Sequence, residues 1–327
     1  MYLEKKKIGK DRYNYLKISV RLRDKVRTKT IAYLGKGNIY KNKAKRIFER
    51  FKKTANDIKQ KTLEELKLES VDINKEILSE QQLNKLKQIE NSFNKKLKTL
   101  DKEILKDMYN DFITLFVFNT NAIEGNTLTL RDTDLLLNKN ITPSGKSLRE
   151  INDHLNSKDT FNFMLEKKPK INHETIIKIH SLLMKNVDKR AGYYRMHNVR
   201  VFGATFEASP AEFVRIDMNI LLKWFRKEKN RLDPLILASA FHHKFEKIHP
   251  FYDGNGRTGR MLLNLILIHN KMPPLIVPDA QRKRYYSALS EADNIELNKT
   301  QLEHKKIVDF CYFSLLKTYN TIFARWG

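Results

Sequence analysis

Twelve consecutive residues, HPFYDGNGRTGR at 249–260, contain side chains that could together catalyse a transfer reaction. His249 can accept a proton near neutral pH. Asp253 supplies a hard oxygen ligand, the kind that Mg²⁺ prefers when it also contacts phosphates. A proton acceptor beside such a ligand suits the attack of a hydroxyl on a phosphorus centre, provided that the rest of the stretch binds the anion.

The glycines and arginines of the stretch indicate such an anion. Gly254, Asn255 and Gly256 stand where the next helix should begin. Backbone N–H groups at a glycine-rich helix start can surround an anion, and the Asn255 amide adds a side-chain donor. Arg257 and Arg260 lie in the first turn, where positive charge opposes the helix dipole unless an anion is bound. Their forked donors favour a nucleotide di- or triphosphate, so the stretch predicts phosphoryl or nucleotidyl transfer to a hydroxyl.

Two apolar helices should hold this stretch. DPLILASAFHHKFEKI at 233–248 has an apolar stripe, and MLLNLILI at 261–268 is apolar almost all round, which predicts a helix through the core. Taken singly, the aspartate, the glycines and the histidine could serve only as a cap, a turn and a buried hydrogen-bonding group. Because all of these residues coincide in one loop, a functional site is favoured over these structural roles. A metal site at His242, His243 and His249 is disfavoured, because the adjacent side chains of His242 and His243 point about 100° apart on a helix.

The beginning of the chain is strongly basic. Of the 327 residues, which carry a net charge of +25, residues 1–50 contain 17 Lys and Arg against 4 Asp and Glu. Residues 2–34 alternate apolar and polar side chains, which predicts three short antiparallel strands. We therefore expect a basic β-meander at 1–40 and a helical accessory region at 41–107. The charge could attract nucleic acid or an acidic partner, or it could be an ordinary lysine-rich solvated surface.

The remainder, residues 108–327, is typical of a mainly α domain with short polar connections. Its interruption is NVRVFGATF at 198–206, which predicts a short β-hairpin. The single cysteine, Cys311, suits a reducing cytoplasm. No signal peptide is recognisable, and the apolar runs at 112–118 and 261–268 are too short to span a bilayer. We therefore expect a cytoplasmic protein with no membrane partner.

The stretch at 249–260 resembles the signature of Fic-domain proteins, His-x-Phe-x-Asp/Glu-Gly-Asn-Gly-Arg-x-x-Arg, and meets every defined position. The resemblance extends over roughly 108–293 through TNAIEGNTLT, AGYYRMHNVRV and MPPLIVPDAQRKRYYSALSEAD, in the family's order. It explains residues 1–107 only as an accessory region. It implies a helical Fic fold that transfers AMP from ATP, with Mg²⁺, to a Ser, Thr or Tyr hydroxyl of a target protein or of the protein itself.

The resemblance also implies roles for individual residues. His249 would be the base and Asp253 the Mg²⁺ ligand, while the glycines would cradle the α- and β-phosphates and the two arginines would bind the more distal ones. The nucleotide-binding residues would be Gly254, Asn255, Gly256, Arg257, Thr258, Gly259, Arg260, Tyr285 and Asp293, with Tyr285 bordering the adenine together with Tyr286. Asp293 stands where relatives often have asparagine. The hairpin, with Val201, Phe202 and Gly203, would form a flap whose strand edge pairs with the target backbone.

A second segment, TNAIEG at 120–125, resembles the family's inhibitory helix, Ser/Thr-x-x-x-Glu-Gly/Asn, in the class that carries it before the domain. FITLFVFNTNAI is an apolar helix, and Gly125 is a suitable helix terminator, so Glu124 is fixed at the end of a buried helix. The resemblance implies that Thr120 and Glu124 are regulatory, with Glu124 paired to Arg260 in the place of the γ-phosphate. The isolated protein would then be mostly self-inhibited.

Other functions stay open. In the same site, Glu124 could position a water for removal of AMP, or another nucleotide or phosphate could be transferred. The intact His249 and both arginines favour AMP transfer from ATP over the transfer of phosphate. In a different class, the protein could be a regulator that binds nucleic acid through residues 1–40 and uses the other domain as a sensor. Assembly as a homodimer is also left open.

Overall fold

The computed structural model describes residues 1–22, 25–70, 72–200 and 207–326, without the side chains of residues 25 and 64–70. The chain divides into two compact units, Met1–Asp72 and Ile73–Gly327. Each unit contains its own hydrophobic cluster, a small one in the first and an extensive one in the second.

The first unit is an antiparallel sheet with helices following it. Its elements are β1 (Tyr2–Ile8), β2 (Asp11–Leu22), β3 (Lys25–Lys36), α1 (Lys41–Arg50) and α2 (Lys52–Ser70), with the strands in the order β1-β2-β3. Along β2, Leu16, Ile18 and Val20 are buried at alternate positions, and Ala55 of α2 packs with the last two. The three antiparallel strands predicted from the alternation are therefore confirmed.

The second unit is helical, as predicted. Its helices are α3 (Ile73–Ile77), α4 (Glu80–Thr99), α5 (Lys102–Ile123), α6 (Leu130–Lys139), α7 (Leu148–Lys167), α8 (His173–Leu183), α9 (Val214–Glu228), α10 (Pro234–Ile248), α11 (Asn255–His269), α12 (Arg282–Ser290) and α13 (Lys305–Thr321). Nearly every residue of α10 and α11 is buried, because the stretches that encode them are apolar on most of their faces. The loop between these two central helices, residues 249–254, therefore has rigid supports on both sides.

Helix α5 brings the segment at 120–125 to the second unit's core. Phe112 and Phe116 on its buried face pack against Phe161 of α7, with ring centroids 5.2 and 5.1 Å apart. The helix ends at Glu124, its C-cap residue, and Gly125 follows with a φ of 92° that favours glycine. The predicted terminator thus lies where the sequence suggested.

The boundary between the two units falls inside the accessory region expected at 41–107. Residues from Ile73 onward belong to the large unit, since the apolar stripe of α4, with Leu86, Ile89 and Phe93, joins its core. The hairpin predicted at 198–206 lies mostly outside the described residues, and so do Val201, Phe202 and Gly203. Within the described part of the chain, no helix is both long and apolar enough to cross a membrane.

Candidate active site

The glycine-rich part of the signature forms the start of helix α11. Gly254 is the N-cap residue and has a φ of 75°, a conformation that suits glycine. A methyl group at this position would collide with the thioether of Met184. The N–H groups of Asn255, Gly256 and Arg257 occupy the first turn, where a helix offers no acceptor of its own. The sequence-based expectation of an anion-binding helix start at these residues is consistent with this geometry.

The side chain of Asn255 has a different role from the one expected. Its Nδ2 donates to the carbonyl of Phe251 at 2.8 Å, and its Oδ1 accepts from the N–H of Phe251 at 2.9 Å. The residue is only 2% exposed. The amide therefore closes the bend between residues 251 and 255 and is not the phosphate donor predicted from the sequence. Its backbone N–H alone remains at the helix start.

His249 is the C-cap residue of α10, in a left-handed conformation with φ 52° and ψ 61°. Its Nδ1 lies 3.3 Å from the carbonyl of Glu246. Because a carbonyl oxygen only accepts, this contact places the ring proton on Nδ1 and leaves Nε2 as the acceptor. Burial lowers the pKa of His249 to about 4, so the imidazole is neutral at pH 7. These are the properties required of a proton acceptor.

Arg195 holds the end of α10 in place, a role that the sequence did not reveal. Its Nε donates to the carbonyl of His249 at 2.7 Å, and its Nη2 donates to the carbonyls of Ile248, at 3.3 Å, and Ser209. The residue is 2% exposed, and its own N–H donates to the carbonyl of Pro250 at 2.9 Å. One buried guanidinium thus fixes the backbone on both sides of the histidine ring.

His180 of α8 fixes the other side of the loop. Its Nδ1 accepts from the N–H of Gly192 at 2.9 Å, so Nε2 carries the proton and donates to the carbonyl of Asp253 at 3.0 Å. The ring lies parallel to that of Phe251, with centroids 3.6 Å apart. Burial lowers the pKa of His180 to about 4, which keeps the ring neutral and the tautomer unchanged at pH 7.

The carboxylate of Asp253 stands at the mouth of the site between two arginines. Arg149 of α7 forms an ion pair with its Oδ2, and Nη2 of Arg257 lies 3.8 Å from its Oδ1. Burial raises the pKa of Asp253, but these charges and the N–H of Gly254 outweigh it, and the pKa lies below its usual value. The carboxylate is therefore ionised at neutral pH.

At the mouth of the site, the carboxylate of Asp253 could be one ligand of a Mg²⁺ ion. Among the described residues, no three His, Cys, Asp or Glu side chains form a group that could hold a metal ion. The side chain of Asp253 is 40% exposed and offers hard oxygens next to the helix start. Mg²⁺ commonly binds to one or two carboxylates together with substrate phosphates and water. Asp253 thus suits an ion that arrives with a nucleotide.

The side chain of Arg257 forms an ion pair with a buried aspartate. Its Nη1 forms an ion pair with Oδ1 of Asp153 on α7, and the guanidinium is 3% exposed. Burial raises the pKa of Asp153, against the opposing effect of the Arg257 charge. The sequence assigned Arg257 to the distal phosphates, whereas the structure directs its side chain toward α7. Its backbone N–H remains part of the helix start.

Arg260 is the second arginine of the signature, and it contacts the C-terminal end of α5. Its Nη2 donates to Oε1 of Glu124 at 2.7 Å and to the carbonyl of Thr120 at 3.0 Å, and its Nε donates to Oγ1 of Thr120 at 2.8 Å. Arg260 is 2% exposed, and the negative charge of Glu124 outweighs burial in raising the pKa of the guanidinium. The pairing of Glu124 with Arg260 that the sequence predicted is present.

The carboxylate of Glu124 lies directly over the helix start. A methyl group at Gly256 would collide with its Oε1 and would come within 3.0 Å of Nη1 of Arg260. The absence of a side chain at residue 256 therefore leaves the space that the carboxylate occupies.

Thr258 and Gly259 pack between helices. Thr258 is fully buried, and a methyl group at Gly259 would collide with Oε1 of Glu246 and with the ring of His242 on α10. The close approach of α10 and α11 thus requires glycine at residue 259. The resemblance assigns both residues to the nucleotide, and this assignment stays a prediction; their positions also serve the helix–helix contact.

Of the two tyrosines predicted to border the adenine, one is buried and one is exposed. Tyr285 is 1% exposed, with its hydroxyl bonded to Nε2 of His242, so its ring is a packing element. The next residue, Tyr286, is 41% exposed and is the better candidate for an adenine contact. Oδ1 of Asp293 lies 3.3 Å from Nε2 of His243, which ties this residue to α10.

The central helix of this domain starts with open N–H groups, and a neutral histidine and a carboxylate lie beside it. Such an arrangement is typical of a site that binds a phosphate-bearing substrate. Comparison with known proteins identifies the family. Residues 170–267 match the Fic/DOC family, and the chain therefore contains a Fic/DOC family domain.

Relatives and solved structures agree with this assignment. The chain is 34% identical over 196 residues to protein adenylyltransferase fic-1 of Caenorhabditis elegans, which corresponds to 58% of this chain and 38% of that protein. It is 33% identical over 184 residues to protein adenylyltransferase Fic of Nematostella vectensis, 54% of this chain and 43% of that protein. The chain thus spans about two fifths of the length of the relatives that it matches.

Two solved structures have the same fold. A Fic domain containing signaling protein from Bacteroides thetaiotaomicron matches with a TM-score of 0.64 and 26% identity, over 72% of this chain and 95% of that one. Residues 134–508 of C. elegans Fic-1 match with a TM-score of 0.63 and 26% identity, over 83% of this chain and 78% of that one. The helical Fic fold predicted from the sequence is confirmed.

Proposed function

We propose that the protein transfers AMP from ATP to a Ser, Thr or Tyr hydroxyl of a protein, and that Glu124 inhibits this reaction. The observation that carries the proposal is the placement of a neutral, fixed imidazole, His249, beside the open start of helix α11. Relatives named protein adenylyltransferases support the choice of AMP as the transferred group.

The reaction follows from the chemistry of these residues. The target hydroxyl attacks the α-phosphorus of ATP, a new oxygen–phosphorus bond forms, and the bond to the oxygen that bridges the α- and β-phosphates breaks. Pyrophosphate leaves, and Nε2 of His249 accepts the hydroxyl proton. The first-turn N–H groups of α11 stabilise the negative charge on the phosphates. Mg²⁺, if bound at Asp253, would neutralise phosphate charge and orient the leaving group.

Inhibition follows from competition for the same donors. The carboxylate of Glu124 bonds to Arg260 and lies over Gly256, where a bound triphosphate would extend. With Arg260 withdrawn, the triphosphate lies differently, and the α-phosphorus is not aligned with the hydroxyl for in-line attack. Removal of Glu124 should restore this alignment.

The test compares four purified proteins in a lysate with Mg²⁺ and α-labelled ATP: the native chain and the variants Glu124→Gly, His249→Ala and the double variant. We expect weak protein labelling by the native chain, strong labelling by Glu124→Gly, and none by either variant that lacks His249. A parallel reaction with γ-labelled ATP should give no labelling above that of the lysate without added protein, whose own kinases use this ATP. Transfer of the γ-label would instead establish phosphoryl transfer and refute the proposal.

Removal of AMP is a second candidate, favoured by the partial exposure of Glu124. The carboxylate is bonded to Arg260 through Oε1, yet the side chain is 35% exposed, so a water molecule can reach it. Purified AMP-modified protein from the Glu124→Gly reaction would be incubated with the native chain. Release of AMP by the native chain, but not by Glu124→Gly, would make Glu124 a catalytic residue of hydrolysis.

A further inference from the structure

The sheet of the first unit has one covered face and one open face. Along β2, residues at even positions such as Leu16 and Val20 are buried, whereas odd positions such as Tyr15 and Ser19 are partly or fully exposed. Residues paired across an antiparallel sheet share a face. The register therefore assigns the partners of the odd positions in β1 and β3 to the open face as well.

Tyrosines cluster on the open face. Tyr33 of β3 lies with its ring centroid 5.4 Å from that of Tyr15 and 6.3 Å from that of Tyr13. Tyr33 is 55% exposed, and Tyr2, paired with Lys17, is 41% exposed. We call this surface, defined by Tyr2, Tyr13, Tyr15 and Tyr33, the tyrosine face. The contacts of Tyr33 with Tyr13 and Tyr15 stabilise the sheet, and they still leave more than half of Tyr33 exposed.

Basic side chains surround these rings. The register places Lys6 and Lys36 beside Tyr13, and Lys17 and Arg21 farther along the same face of β2. The ammonium of Lys36 lies 5.2 Å from the centroid of the Tyr13 ring. The carboxylates of the face, Glu4 and Asp11, are each paired with a lysine, at 2.7 and 2.6 Å. With 17 basic and 4 acidic residues in positions 1–50, the surroundings strongly favour an anionic partner.

We propose that the tyrosine face binds a single-stranded nucleic acid. Lysines alone would attract any polyanion, and exposed aromatic rings add affinity for a polyanion that also presents flat π-systems, as nucleic acid bases do. The bases of a single strand are unstacked and can lie on tyrosine rings, while the surrounding lysines contact the phosphates. The bases of a duplex are stacked on each other and are not available to these rings. This function is independent of nucleotidyl transfer and does not rest on it.

The test measures binding of a fluorescein-labelled 20-nucleotide oligothymidylate to the full chain by fluorescence anisotropy. We expect an affinity that falls steeply between 50 and 200 mM salt and a much weaker affinity for a duplex of the same length at each salt concentration. The variant Tyr33→Leu keeps an apolar side chain but has no ring, and it should bind about 10-fold more weakly. Its matched control is Tyr193→Leu, a 71% exposed tyrosine of the second unit, which should bind as the native chain does.

Three further measurements separate stacking from charge and from unfolding. Lys6→Gln, which changes the lysine paired with Tyr13 across the sheet, should reduce the steepness of the salt dependence by about one phosphate contact, since each contact releases counterions. Circular dichroism checks that each variant is folded, and Tyr33→Phe, which retains the ring, should bind nearly as well as the native chain. Absence of binding at 50 mM salt, or equal affinity for single strand and duplex with no effect of Tyr33→Leu, would overturn the proposal.

Discussion

Removal of the Glu124 carboxylate should strengthen the binding of ATP, and this prediction follows from one hydrogen bond. In the native chain, Nη2 of Arg260 is bonded to Oε1 of Glu124 at 2.7 Å. A γ-phosphate can use this donor only after the carboxylate has left it. The variants Glu124→Gly and Glu124→Gln remove the charge, with and without the volume of the side chain.

The expected gain in ATP affinity can be worked out from the burial of Arg260 and Glu124. Arg260 is 2% exposed, so its charge is poorly screened, whereas the side chain of Glu124 is 35% exposed. A hydrogen bond between charged groups contributes about 1.5–3 kcal/mol. At about 1.4 kcal/mol for each factor of ten, this corresponds to about 10- to 150-fold in the dissociation constant of ATP. The exposure of Glu124 favours the lower end of this range.

The assay is isothermal titration calorimetry with ATP and, separately, with AMP, both in the presence of Mg²⁺. AMP has no distal phosphates and does not reach Arg260, so its affinity should change by less than about 2-fold in Glu124→Gly. The matched control is Glu103→Gln at the other end of α5, which should bind ATP as the native chain does.

Two outcomes would refute the reasoning. If Glu124→Gly binds ATP with native affinity, Arg260 is not the contact for which the carboxylate competes. If the affinities for ATP and AMP increase equally, the carboxylate acts on the whole site through its charge, and the proposed competition with the γ-phosphate is refuted. The double variant Glu124→Gly, Arg260→Ala should lose the gain in ATP affinity.

Three other predictions concern the rest of the site. Because burial lowers the pKa of His249 to about 4, the imidazole stays neutral down to low pH. The rate of transfer by Glu124→Gly should therefore stay constant from pH 8 to about 5 and fall only toward pH 4. A fall in rate centred near pH 6.5 would show a solvated base. Arg195→Lys keeps the charge but loses the fork that holds four carbonyls, so thermal denaturation should report a loss of about 1–3 kcal/mol and kinetics a lower kcat, whereas native values would contradict this positioning role. Arg149→Ala frees Asp253 from an exposed ion pair and should lower the Mg²⁺ concentration for half-maximal activity by up to about 5-fold; an unchanged Mg²⁺ dependence would show that the pair does not compete with the metal.

The sequence predicted those parts of the site that depend on neighbours along the chain. The glycine at residue 254 and the open helix start after it follow from local backbone chemistry. The alternation in β2 likewise predicted the sheet. The pairing of Glu124 with Arg260 spans 136 residues and was predicted by resemblance, not by spacing.

Contacts that join distant segments by ordinary residue types were missed. Arg195 reaches carbonyls more than 50 residues away, and Asp153 reaches Arg257 across 104 residues. No periodicity or spacing marks such partners, because a backbone carbonyl looks the same at every position. The same limit explains Tyr285, whose hydroxyl bonds to His242 across 43 residues. Asn255 is a local exception, because its amide bonds to the backbone of Phe251 only four residues earlier.

The left-handed conformation of His249 has a consequence for how such a domain could change over generations. A non-glycine residue in this region costs about 1–2 kcal/mol, and a glycine or asparagine would hold the same helix end with less strain. The proposed base therefore occupies a position where its backbone conformation is strained. Backbone strain favours replacement of the histidine, and the proposed reaction would be what selects for its retention. A lineage released from that selection would tend to lose catalysis first and keep the folded scaffold, which would then be free to serve as a binding module.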